Sequence, residues 1–237
     1  MTVGGVLEQT LGLYQRFFWR FAATTAIVVV FLDLLSALGR TVDSTGGTIL
    51  WALLGVTIGL IGTFLVQGAL TLAVDDVRDG RVDTSIGELY ARTRPHLGAL
   101  IVAGVLAGIG IGLGLLLLIA PGLYLLTLWA LIVPAIVLED RSAGESFGRS
   151  SALTAGHRWA VLGVALVTLL ASAVVGNIVI AIFSASLPEF FGVWLGSVVA
   201  QCATTPFLAL AWTVMYFDLR RAAEPSPATV APPPVSA

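Results

Sequence analysis

The chain has 237 residues, 57% of them hydrophobic and 11% charged, with a formal net charge of −2 and a mean hydropathy of +0.98. Soluble domains carry roughly 25% charged residues, so this composition excludes a soluble globular domain and points to a chain that crosses a membrane repeatedly. A single cysteine, Cys202, excludes an internal disulfide framework and a cysteine-rich metal site.

A membrane-crossing helix needs about 20 mostly apolar residues. In chain order, six stretches meet that requirement: roughly 18–38, 48–74, 97–119, 122–138, 159–183 and 189–217. The first is followed by no small-residue cleavage site and is expected to stay as a span rather than leave as a signal peptide. Ala120-Pro121-Gly122 is expected to turn the chain between the third and fourth spans, and Ser186-Leu187-Pro188-Glu189 between the fifth and sixth. The fourth span is the shortest and contains Pro134. Residues 1–221 therefore read as one six-span domain. Residues 222–237, rich in proline and poor in large apolar side chains, read as a disordered tail.

All twelve basic residues are arginine, which with the abundant alanine and glycine reads as the mark of a GC-rich bacterial genome. Eleven of them fall before span one, in the second and fourth connections, or after span six, and only Arg40 falls opposite. By the positive-inside rule both termini are expected in the cytoplasm of a bacterial plasma membrane.

A polar phrase recurs between the oily runs. At an offset of 57, Ser85-Ile86-Gly87-Glu88 matches Ser142-Ala143-Gly144-Glu145, and Tyr90, Arg92 and Thr93 match Phe147, Arg149 and Ser150. Ser followed three residues later by Glu is a capping box that starts a helix. A fainter copy opens the chain, with Thr2, Gly4 and Thr10 in the corresponding places. The expected fold is all-α: three helical hairpins, each preceded by a short amphipathic helix lying along the cytoplasmic interface. On this reading residues 85–94 and 143–155 are two such helices.

Little in the chain suggests catalysis. His96 and His157 have no second metal ligand at helical spacing, Ser150 and Ser151 lack the spacing of a nucleophile elbow, and no Gly-rich loop with a lysine is present. No catalytic, cofactor or metal site is expected. The polar residues inside spans are Asp33, Gln67, Asn177, Gln201, Thr204 and Thr205, with Pro206 beside the last two. Asn177 and Gln201 are expected to hydrogen-bond across spans five and six. Gly104, Gly108 and Gly112, and likewise Gly55 and Gly59, recur at spacing four and are expected to let helices approach closely. At the span ends a charge cluster of Glu139, Arg149, Arg158, Asp218 and Arg220 is expected, with Asp218 reaching Arg149 or Arg158. The local alternative is Asp218 with Arg221.

The stretches "APGLYLLTLWALIVPAIVLEDRSAGESFGRSSALTAGHRWAVLG" and "WTVMYFDLRR" resemble a bacterial family of six-span proteins, the glycerophosphoryl diester phosphodiesterase membrane domain family. Pro121-Gly122, Glu139, Arg149-Ser150, Trp159 and Tyr216 to Arg220 carry the likeness, which is strongest over 115–221. The phosphodiesterase barrel fused to some members needs about 250 residues of its own, so its activity does not transfer. The resemblance implies an integral membrane module that anchors, senses or assists a partner at the membrane, and a non-enzymatic role is the expected one. Membrane lipids and a membrane or cytoplasmic protein are the expected partners, and nucleic acid is not. The rival reading is a small permease or lipid transporter with a cavity near Asn177, Gln201 and Pro206. A third is a lipid-active enzyme built on Glu139, Arg149 and His157.

Overall fold

The computed structural model describes residues 2–39, 45–78, 80 and 82–223. They form α1 (Val3–Gly39), α2 (Thr45–Val77), α3 (Ile86–Thr93), a single 3-10 turn (Arg94–His96), α4 (Leu97–Leu117), α5 (Ile119–Trp129), α6 (Ile132–Glu139), α7 (Ala143–Thr154), α8 (Arg158–Ser186) and α9 (Glu189–Ala223). No strand occurs among the described residues. Six segments are long and apolar enough to cross a membrane: Val3–Ser36, Leu50–Val77, Ile86–Leu117, Ile119–Glu139, Arg158–Ser186 and Glu189–Ala223. Arg40 and the proline-rich tail beyond Ala223 lie outside the described residues.

The walls of the bundle are apolar. Leu53, Ile109, Leu170 and Ile182 are all more than half exposed, as suits helices solvated by lipid rather than water. Burial concentrates toward the arginine-bearing end. One apolar cluster joins Phe21, the second half of α2, Leu89, Leu100 and Ile136; a second joins Val6, Leu131, Val161, Val164, Met215 and Tyr216. Trp19 and Trp159, each beside an arginine at this end, are 82% and 86% exposed, the placement that tryptophan favours at a membrane boundary.

Three segments begin alike. Thr2, Ser85 and Ser142 each accept, through the side-chain oxygen, the backbone N–H three residues on, at 3.3, 3.3 and 3.4 Å. Four and eight residues after each hydroxyl the side chains are fully buried: Val6 and Thr10, Leu89 and Thr93, Ser146 and Ser150. Beyond those positions the three segments diverge. α1 runs on through a kink at Phe17 (φ −119°, ψ 20°), which falls where the apolar run begins. α3 is no separate surface helix. It passes through the turn Arg94–His96 straight into α4, because Pro95 sits in the first turn of that segment, where its missing N–H is not needed. Only α7 stands apart, stopped by Gly156 at φ +79°.

Two other expectations are corrected. The chain reverses at Leu118 (φ −158°, ψ 140°), and Pro121 and Gly122 belong to the first turns of α5. Their service there is closeness: a Cβ on Gly114 would stand 2.8 Å from the Gly122 Cα. Of the glycines at spacing four, only Gly104 is pressed, against the ring of Phe64; Gly55, Gly59, Gly108 and Gly112 have nothing within 4 Å of a Cβ. The turn at Leu187-Pro188 between α8 and α9 falls where expected.

Candidate functional site

The arginine-bearing end holds the densest polar chemistry, and Glu139 is its centre. Glu139 ends α6 with its side chain 9% exposed. Its carboxylate accepts Nε of Arg149 from α7 at 2.9 and 2.8 Å, Nη2 of Arg149 at 2.8 Å, the Tyr216 hydroxyl from α9 at 2.6 Å, and Nε of Arg141 at 3.3 Å. A carboxylate taken out of water is costly unless paired and fully bonded. Here donors from two neighbouring helices meet that need.

The expected cluster is therefore assembled differently. Glu139 and Arg149 do meet, and Arg220 lies beside the Tyr216 hydroxyl. Asp218 takes the local partner, Arg221, at 3.1 Å, in place of the expected Arg149 or Arg158. Arg158 donates to the Tyr124 hydroxyl at 2.7 Å and stands over that ring. Helix geometry explains the exchange. Positions 216 and 218 are about 200° apart around α9, so with Tyr216 buried against Glu139, Asp218 lies on the far side of the helix, part-buried beside Arg221. The same "YFDLRR" contains the right residue, but a phenol among charges gives no sign in sequence that it will pair.

Beside this hub, span four is broken. Pro134 has no N–H for the Ala130 carbonyl, and its ring crowds that carbonyl; the helix ends at Trp129 and restarts at Ile132. The interruption bares the Leu128 carbonyl and the Leu131 N–H. Ser150 of α7 meets both: its hydroxyl donates to Leu128 O at 2.6 Å and accepts from Leu131 N at 3.1 Å. Irregular backbone at membrane depth survives only where protein satisfies it. The face that α7 buries is largely hydroxylic, with Ser146, Ser150 and Thr154 fully covered around Leu153, so this helix is packed inward rather than resting an apolar face in the headgroups. The full capping box at Ser142 and Glu145 starts it, and the hydrogen bonds from the Ser142 hydroxyl and backbone N–H hold the Glu145 carboxyl below the usual carboxylate range.

A second clamp adds to the expected cluster. Arg20 of α1 donates to Asp76 of α2 at 2.6 Å and to the Thr84 carbonyl at 2.7 Å, while Thr84 returns its hydroxyl to Asp76 at 2.5 Å. The arginine and aspartate side chains are 13% and 9% exposed. Nearby, the Tyr90 hydroxyl donates to the Thr24 carbonyl. The signal in the sequence is Asp75-Asp76 closing a span as Glu139 closes another. Arg20 reads there only as a charge preceding span one.

Within the spans, Gln201 donates to Asp33 at 2.9 Å, tying α9 to α1. The expected bond to Asn177 is replaced: Asn177 is exposed and donates to Ala173 O in its own helix. Pro206 is buried in α9, and the Tyr14 hydroxyl donates at 2.8 Å to the Ala203 carbonyl in the turn before it. His96 lies 3.5 Å from Asp140, and His157 3.4 Å from the Ala155 carbonyl. Among the described residues no three His, Cys, Asp or Glu side chains come close enough to hold a metal ion.

Six helical segments long and apolar enough to cross a membrane, joined at one end by charged and hydroxyl clamps, fit an all-helical multi-pass membrane protein. The chain belongs to the family described as Domain of unknown function (DUF7847), whose model matches residues 12–219. Comparison with curated proteins and with solved structures finds no match. Nothing in these findings links the chain to the glycerophosphoryl diester phosphodiesterase membrane domain family.

Proposed function

We propose that this protein is a non-enzymatic membrane module of a bacterial plasma membrane, with both termini cytoplasmic, whose rigid cytoplasmic base anchors or assists a partner in a membrane or lipid-related process. The observation that carries this reading is how the charges buried at the base are engaged. Glu139 is closed on Arg149 and Tyr216, and Asp76 on Arg20 and Thr84, each bond joining one helix or connection to another. Groups so engaged fix geometry rather than serve a reaction. The arginine distribution supports the orientation. The shared caps and buried positions after Thr2, Ser85 and Ser142 support descent of the three lead-in segments from one repeated unit.

The permease alternative draws less from the geometry. Of its three residues, Asn177 faces outward, Gln201 is bonded to Asp33, and Pro206 is buried. Chemical cross-linking in native membranes, followed by mass spectrometry of what co-purifies, tests the module. The expected result is one protein recovered in near-stoichiometric amount and cross-linked to residues of α7 or the α2–α3 connection. Recovery of the chain alone, together with loss of a specific solute or lipid flux in a Gln201→Ala variant, would establish the permease instead.

A further inference from the structure

We infer that the groove between the first turns of α1 and the ends of α2 and α9 is a binding site for a phosphate-bearing anion, with the headgroup of an anionic phospholipid as its source. The groove has a volume of about 590 Å3. Arg16 from α1, Arg78 just past α2 and Arg221 near the end of α9 line it, over a floor that includes Leu13, Val214 and Phe217.

Three features suit it to phosphate. First, the guanidinium of Arg78 lies over the Phe217 ring, 3.5 Å from its centroid, which holds one donor fork in place; planar forks match phosphate oxygens in pairs. Second, the carboxylates present are weak competitors. Arg78 and Arg221 each pair with an aspartate three residues away, Asp75 at 3.5 Å and Asp218 at 3.1 Å. Exposed pairs of this kind contribute little and yield to a better anion. Among the described residues no carboxylate pairs with Arg16, so the described lining of the groove carries a positive surplus. Third, the groove lies where two spans end, since Val77 closes one and Ala223 the other. Lipid phosphates occupy that level, and the exposed apolar helix walls leading away from it can receive the acyl chains. This site is separate from the Glu139 hub and does not depend on the partner-binding role.

The test uses the full chain in detergent, with native mass spectrometry to count retained lipid and thermal unfolding to follow protection. The probes are phosphatidylglycerol, phosphatidylcholine and inorganic phosphate. Phosphatidylglycerol is expected to be retained and to raise Tm, while phosphatidylcholine does neither. Arg16→Gln and Arg78→Gln are each expected to reduce phosphatidylglycerol retention about five-fold, with Tm in phosphatidylcholine unchanged for Arg16→Gln. Arg92→Gln, on an exposed arginine of α3 outside the groove, serves as the control and is expected to have no effect. If Arg16→Gln fails to fold, Arg221→Gln carries the same comparison from an exposed side chain. Protection by inorganic phosphate that the same variants abolish would keep the phosphate site and assign it a soluble source. Equal retention of the two lipids, or an equal loss in Arg92→Gln, would overturn the inference.

Discussion

α3 and α7 begin with nearly the same words and end in different places. Both start at a serine cap with glutamate three residues on. α3 becomes the foot of a span, whereas α7 stands apart and is pinned to a broken span by Ser150 and Arg149. The difference lies downstream of the shared phrase. Arg94-Pro95-His96 lets the helix continue, since proline is harmless in a first turn. Thr154-Ala155-Gly156 ends it, with Gly156 in the left-handed region at φ +79° that favours glycine. A cap sets where a helix begins; the next breaker sets what the helix becomes.

The contrast can be broken most forcefully at Glu139. Glu139→Ala leaves Arg149 and Tyr216 without their shared acceptor and is expected to destabilise the protein by about 3 kcal/mol. Thermal unfolding in detergent measures the loss. Hydrogen exchange should show it as opening of α7 while α3 stays protected, and equal opening of both helices would dissolve the distinction. Next comes Ser150→Ala, which strands the Leu128 carbonyl and the Leu131 N–H; about 2 kcal/mol is expected. The matched change Thr93→Val, eight residues after the other serine, removes only a bond to Leu89 O in its own helix and is expected to cost less than half as much.

A smaller effect sharpens the boundary. Gly156→Ala forces an L side chain into the left-handed region and is expected to cost about 1 kcal/mol, read as a lower Tm. The smallest test is one of pH. Because the folded Glu145 carboxyl titrates below its ordinary value, its contribution is present above the unfolded value and fades as pH falls through the folded one. In Ser142→Ala that acid-side dependence is expected to flatten, alongside a cap loss of about 1 kcal/mol. Ser85→Ala should alter it little, since Ser85 caps through the Glu88 backbone N–H, at 3.3 Å, and not through a carboxylate. Identical pH profiles for Ser142→Ala and the parent would count against the capping box as the cause.

The spans were legible because lipid accepts few solutions: runs of about 20 apolar residues must be helices. The starts of α3 and α7 were legible because a cap is a local device, spelled within four residues. The hub was half legible. Glu139 and Arg149 stood out as charges at span ends, but Tyr216 did not, since its role depends on which face of α9 turns inward. In the Arg20–Asp76–Thr84 clamp the span-closing aspartates were visible, but their pairing was illegible for a related reason. Its arginine is 56 residues from its aspartate, and nothing local marks which of several arginines a span-closing carboxylate will meet. The Asp33–Gln201 bond joins residues 168 apart, whereas sequence order favours a partner on the adjacent span, which is why Asn177 was the expected one.

The break in span four also bears on how the chain is made. Its two bared backbone groups are met by a serine synthesised 19 residues after Leu131. As the ribosome extrudes the fourth span, therefore, the groups at its interruption have no partner of their own, and lipid offers none. The break in span four is thus completed by a residue that follows it in the chain, and the fourth span and α7 form one unit that neither completes alone.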